Sequence, residues 1–301
     1  MDRKLEGMFP ILATPFNDDG SIDWDSQKRL IQYLIERGVH GIVMLANASE
    51  GYTLSDSEKK KLIELAAKEI EGRVPLVVTV SHFSSEVASE HANYAENMGA
   101  FAVMSYPPFF GQWSPDTEGI REYFDRLSNA IKIPIIYQDH PLSGVKMPAS
   151  ALAEIAKRVD RLRYIKTEFV DTLGKIPALN RLAENSLDGV FGGAGGLNYI
   201  HELEVGACGN MPACYMSKVL SDVFNHHRAA RKKEAERIFF KHLPLISFEL
   251  YHGGRYMVKE ILKKNGIIKS TYCRHKAPKS WHEVNLKALN NLLSKYDLNT
   301  F

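Results

Sequence analysis

Cysteine is scarce: Cys208, Cys214 and Cys273 are three in 301 residues, an odd number with no CxxC spacing. This excludes a disulfide framework and a cysteine-based structural zinc site, and a reducing, cytoplasmic location is the expectation. An excess of one charge is lacking too, since 38 Lys+Arg stand against 36 Asp+Glu for a formal net charge of +2. No basic stripe interleaved with aromatics offers a path for a phosphate backbone, so nucleic acid is not an expected partner. No apolar run reaches the ~18 residues that a membrane span needs. The opening Asp2-Arg3-Lys4-Leu5-Glu6 is charged and soon meets Pro10, unlike a signal peptide. Low-complexity linkers are missing as well. What is there is 45% hydrophobic and 25% charged, enough for a sizeable core in one large domain or two smaller ones.

Eight short apolar runs rich in β-branched residues recur along the chain, at 9–16, 41–47, 76–81, 101–106, 134–139, 162–167, 188–192 and 209–213. Most are too continuously apolar for a sheet with one wet face, so they predict parallel strands buried on both sides. Helix signals lie between them. Ser55-Asp56-Ser57-Glu58 is a capping box, and Ser114-Pro115 reads as a cap with a first-turn proline. Gly38, Gly72 and Gly99 stand where helices would stop. Eight strand-then-helix units favour a (β/α)8 barrel over an open doubly wound sheet, although pattern alone leaves closure open. The periodicity turns purely helical at about His226, with amphipathic stretches at 234–250 and 255–264 and a last helix from Pro278. The expected organisation is a barrel over 1–225 and a C-terminal helical region over 226–301.

A barrel of this kind places its chemistry at the C-terminal ends of the strands. Lys166 is the most informative residue there. It follows Tyr164-Ile165 in an apolar strand, where a cation is costly to bury, so its amine is expected to shift toward the neutral, nucleophilic form that attacks a ketone to give a Schiff base. An alternative is a structural lysine that snorkels to the rim or pairs with Glu168, which by period two points the same way. Tyr137 on the preceding strand is the expected proton shuttle, although a tyrosine on a buried strand is also an ordinary core residue. The glycines of 192–196 resemble a phosphate cradle but match neither a Walker nor a GxGxxG spacing, so a tight turn with room for substrate is the better reading. His226-His227, His201-Glu202 and His82 have no metal-ligand spacing, and no metal is expected. His82 and His140 are candidate acid/base residues, and no Ser-His-Asp arrangement is readable.

Several motifs in order resemble the dihydrodipicolinate synthase and N-acetylneuraminate lyase group of Schiff-base pyruvate lyases. They are Ala13-Thr14-Pro15-Phe16, Gly20-Ser21-Ile22-Asp23, Asn47-Ala48-Ser49-Glu50 with Thr53-Leu54-Ser55, Pro134-Ile135-Ile136-Tyr137, Ile165-Lys166 and Gly206-Ala207-Cys208-Gly209. The resemblance implies a TIM barrel with a C-terminal helical extension, assembled as a homotetramer or homodimer. It also implies Lys166 as Schiff-base nucleophile and Tyr137 as proton shuttle, with no metal or organic cofactor, because a protonated imine is its own electron sink. Asn47, Ala48 and Ser49 would hold the keto-acid carboxylate, and Met211 would contribute its backbone carbonyl.

The departures bear on substrate. The family's Gly-(Thr/Ser)-Thr-Gly loop reads Ala46-Asn47-Ala48-Ser49 here, and its tyrosine pair after strand 4 is Phe109-Phe110. Leu142 stands where the synthase has an arginine, a loss of charge-assisted contact worth about 1.5–3 kcal/mol. The expectation is therefore an aldolase or dehydratase acting on pyruvate or another 2-keto acid. A 4-hydroxy-tetrahydrodipicolinate synthase, a non-catalytic barrel binding keto or sugar acids, and a phosphate-binding isomerase are the alternatives.

Overall fold

Parallel strands alternate with helices in the computed structural model, which describes residues 4–108, 115–276 and 279–301. Among the described residues, eight strands form one sheet: β1 (Gly7–Met8), β2 (Ile42–Met44), β3 (Leu76–Thr79), β4 (Ala102–Ser105), β5 (Ile135–Asp139), β6 (Leu162–Thr167), β7 (Gly189–Gly192) and β8 (Gly209–Asn210). Their order is β1-β8-β7-β6-β5-β4-β3-β2, all neighbours parallel. Ile11 closes the ring by bridging Val43 on one side and Ala213 on the other. The architecture is a (β/α)8 barrel. The first strand lies ahead of the predicted 9–16 rather than within it: Pro10 has no amide for the ladder, so pairing beyond Met8 reduces to single bonds such as Ile11 N–H to Pro212 O at 2.7 Å.

The helices start and stop where the side chains direct. Ser55 caps α2 (Asp56–Ile70), following α1 (Trp24–Glu36), and both bonds of the capping box form. α3 is Ser85–Asn97. α4 (Thr117–Ala130) is capped by Asp116 rather than the expected Ser114, which lies outside the described residues; the Asp116 carboxylate accepts from Gly119 N–H at 2.9 Å. The remaining barrel helices are α5 (Ala149–Arg158), α6 (Thr172–Leu182), α7 (Tyr199–Glu204) and α8 (Ser217–Arg228).

The C-terminal helices are α9 (Lys232–Phe248), α10 (Gly254–Lys264) and α11 (Lys279–Leu293), with a π-helical turn at Glu249–Gly253 between the first two. Pro278, expected to begin the last helix, lies outside the described residues. This region is locked to the barrel: Lys259 on α10 reaches Glu50 after β2 at 2.7 Å with both side chains buried, and Tyr33 on α1 donates to the carbonyl of buried Phe301 at 3.0 Å. Among the described residues, no helix is long and apolar enough to cross a membrane.

Two apolar layers flank the sheet. Inside the barrel lie Val43, Val77, Met104, Ile136, Tyr164, Phe191 and Met211; between sheet and helices lie Val78, Val103, Ile135, Tyr137 and Ile165 among others. Alternation along the strands assigns the side chains to one layer or the other, except early in β6, where a register shift against Ile135–Ile136 leaves Leu162 outward and Tyr164 inward.

Candidate active site

Alternation decides which polar side chains meet. On β6, Tyr164 faces inward and Ile165 outward, so Lys166 faces inward at the barrel mouth, only 3% exposed. Glu168, two residues on, turns the same way, and its Oε2 lies 3.3 Å from Lys166 Nζ. The partner anticipated for a purely structural lysine is thus present, in place of the apolar surroundings expected around the amine.

The register of β5 against β6 pairs Gln138 with Lys166 and Tyr137 with Ile165. Gln138 therefore points into the site and donates to Glu168 Oε2 at 2.9 Å, while its buried Oε1 has no partner among the described residues. Tyr137 points the other way. Its ring packs on Phe124 of α4 at 5.0 Å, and its hydroxyl contacts Met147 Sδ at 3.4 Å. The structure thus contradicts the expected pairing of Tyr137 with Lys166, because adjacent in-register positions place them on opposite faces of the sheet. The phenol at the mouth is that of Tyr106, just past β4: it accepts a hydrogen bond from the Asn47 amide, and its ring meets the edge of His140 at 5.8 Å. Burial, then the nearby Glu168 charge, raises its pKa well above the ordinary phenol value.

Glu168 collects the site's donors. Ala194 N–H reaches its Oε1 at 3.1 Å. Burial alone would raise its pKa, but Lys166, His140, the Gln138 amide and this N–H outweigh it, and the carboxyl is held below its ordinary range. Burial lowers the pKa of His140, with Lys166 adding to the effect. Its Nδ1 accepts Leu142 N–H at 2.9 Å, a bond open only to the neutral ring protonated at Nε2.

The glycines that follow β7 border carboxylates. A Cβ at Gly192 would stand 1.8 Å from Glu202 Oε2, one at Gly193 2.4 Å from Glu168 Cγ, and one at Gly195 2.6 Å from Glu249 Oε2. The acid side chains fill the space that a phosphate would need against this loop, so a phosphate cradle does not fit here; the glycines leave room for the protein's own acids. Glu202 lies behind the wall, accepting from Thr172 Oγ1 and Asn210 Nδ2 at 2.8 Å each, and burial pushes its pKa up to about 7.

A cavity of about 170 Å³ joins these groups, lined by Asn47, Ala48, Gln138, His140, Lys166, Glu168, Met211 and Glu249 among others. Asn47, Ala48 and Met211 are thus brought to Lys166. Ser49 is not: it is buried, its N–H donates to Ala46 O at 3.1 Å, and its carbonyl accepts from Thr14 Oγ1 at 2.7 Å. Since Ser49, Glu50 and Gly51 N–H all bond within that turn, its amides are not available to a carboxylate as expected; the Ala48 N–H stands outside those bonds. Leu142 is 63% exposed, and Phe109 and Phe110 lie outside the described residues. His82 borders a neighbouring cavity with Tyr52 and Tyr106. Among the described residues, no three His, Cys, Asp or Glu side chains converge as a metal site would.

Sequence reading missed Gln138, Tyr106 and Glu249 as site residues. The first two follow from period two once the register to Lys166 is known. Glu249 carried one faint signal, an acid between Phe248 and Leu250 at the end of a helix.

Comparisons with known proteins bear on the family and the fold. Residues 4–294 match the model of the dihydrodipicolinate synthetase family. The chain is similar to L-2-keto-3-deoxyarabonate dehydratase of Azospirillum brasilense, at 33% identity over 276 residues, 91% of this chain and 89% of that one. It is also similar to 4-hydroxy-tetrahydrodipicolinate synthase of Methanopyrus kandleri, at 30% identity over 62% of this chain and 61% of that one. Among solved structures, dihydrodipicolinate synthase from Rhodopseudomonas palustris superposes with a TM-score of 0.88 at 29% identity, covering 97% of this chain and 98% of its own.

Proposed function

The chain belongs to the dihydrodipicolinate synthetase family and is a lyase of it, and from that premise we propose that it dehydrates a 2-keto-3-deoxy sugar acid through a Schiff base on Lys166. The observation that carries this reading is the Lys166–Glu168 pair at 3.3 Å inside a cavity that also holds Asn47, Ala48 and Met211. Glu168 takes the proton from the lysine, which attacks the C2 carbonyl; the proton returns to the carbinolamine oxygen, and water leaves as the iminium forms. The carboxylate then removes a C3 proton, and the resulting enamine expels the C4 hydroxyl. Hydrolysis of the imine frees Lys166. Net, one water is lost and no cofactor is consumed.

The substrate carboxylate is assigned to the Ala48 N–H and the Asn47 side chain, while the Met211 carbonyl, an acceptor only, is assigned to a substrate hydroxyl. Dehydration is favoured over the synthase reaction by likeness to the Azospirillum dehydratase along 91% of the chain. Leu142, exposed and uncharged, also offers nothing to the second carboxylate that a synthase must read. We propose a cytoplasmic homodimer or homotetramer as the working form, with light scattering as its check. Incubation with 2-keto-3-deoxypentonates tests the activity: a product lighter by one water is expected, whereas cleavage to pyruvate or an unchanged substrate overturns the dehydratase reading.

A further inference from the structure

Glu249 belongs to the helical region, yet it reaches the barrel mouth. It opens the π-helical turn Glu249–Gly253, where the α9 ladder shifts register, a local device that re-aims side chains and recurs at functional sites. Its Oε2 lies over Gly195, which has φ +65 and no side chain to obstruct it. It lines the cavity that Lys166 and Glu168 line. Among the described residues, no hydrogen bond or ion pair engages its carboxyl, whereas Glu168 bonds to Gln138 and Ala194 and pairs with Lys166. Burial pushes the Glu249 pKa up to about 7 while Glu168 is held low. Two acids in one cavity with environments that separate them are suited to opposite proton-transfer roles.

We propose that Glu249 is the general acid that protonates the departing C4 hydroxyl, an assignment that rests on the dehydratase reading above. In this step the enamine electrons form the C3–C4 double bond, and the C4–O bond breaks with its electron pair on oxygen. The proton of Glu249 joins that oxygen to make water; Glu168 then releases the C3 proton to solvent and Glu249 recovers one from it at the cavity mouth, so both acids return to their starting states. No electrons are exchanged with an external group.

The test compares wild type with Glu249→Gln, which keeps shape but carries no transferable proton, on two substrates: the 3-deoxy acid and its 4-deoxy-4-fluoro analogue, whose fluoride leaves with less need of a proton. The expected result for Glu249→Gln is dehydration slowed about 10²–10⁴-fold, fluoride release slowed less than about tenfold, and borohydride trapping at Lys166 equal to wild type. Retention of trapping shows that the variant is folded. Dehydration within about threefold of wild type overturns the proposal, as does an equal loss on both substrates. A wild type that traps the keto acid but eliminates neither leaving group fails at the dehydratase reading itself, and the acid role falls with it.

Discussion

Lys166 Nζ and Glu168 Oε2 stand 3.3 Å apart at the mouth of the barrel, on one face of the chain and two residues apart. The proximity that makes a buried lysine tolerable is the same proximity that the proposed Schiff-base chemistry requires of a base, so the structural and the proposed catalytic readings of this lysine describe one pair.

Replacing Glu168 with Gln keeps the volume but removes the proton acceptor. The expected loss in kcat is about 10²–10⁴-fold. Because the carboxyl is held below its ordinary 4.5, the wild type keeps Glu168 ionised down to that pH and loses this activity only as pH falls through the lower value. A steady-state pH profile reads this; an acid limb that begins near neutrality in the wild type contradicts it.

The two tyrosines separate cleanly. Tyr137→Phe loses only a contact to Met147 Sδ in the layer between sheet and helices, and kcat/KM is expected within about threefold of wild type. Tyr106→Phe removes a phenol that bonds Asn47 at the cavity, and a drop of about 10-fold or more is expected. Parallel kinetics on both variants check the ordering, and the reverse ordering restores Tyr137 as the shuttle.

Lys259→Met leaves Glu50, itself fully buried, without its cation. Removal of one partner of a buried pair costs about 3–5 kcal/mol. Chemical denaturation should show this loss, and the double variant Lys259→Met with Glu50→Gln should recover part of it. A single variant as stable as wild type contradicts the role of this pair in fastening α10 to the barrel.

Glu202 gives a pH signature in stability. Its folded pKa of about 7 lies above the ordinary 4.5, so its contribution is fully present below pH 4.5 and is lost as pH rises through 7. The difference corresponds to about 3 kcal/mol. Glu202→Gln should therefore match wild type near pH 4.5 and exceed it in Tm at pH 8. Asn210, whose Oδ1 lacks a partner among the described residues, can turn to accept from the new amide. Equal Tm values at pH 8 contradict the raised pKa.

The barrel was legible because apolar runs mark strands and caps mark helices, and the order of motifs located Lys166. Period two also aligned Glu168 with it, since Glu168 directly follows the strand that carries Lys166. Tyr137 failed for a physical reason: which face it presents relative to Lys166 depends on the β5–β6 register, set by pairing between strands rather than by either strand alone. The glycines of 192–196 announced space without saying what fills it, and Glu168, Glu202 and Glu249 do so from three different elements. Glu249 was hidden because a π-helical turn far along the chain, not a barrel strand, delivers it.

The most direct test is borohydride reduction with pyruvate or the 2-keto-3-deoxy acid present, followed by mass mapping, beside a family member known to trap. The expected result is one added mass of reduced keto acid, located at Lys166 and absent from Lys166→Ala. No adduct under conditions that trap the control, or an adduct that survives in Lys166→Ala, would contradict a Schiff base at this lysine.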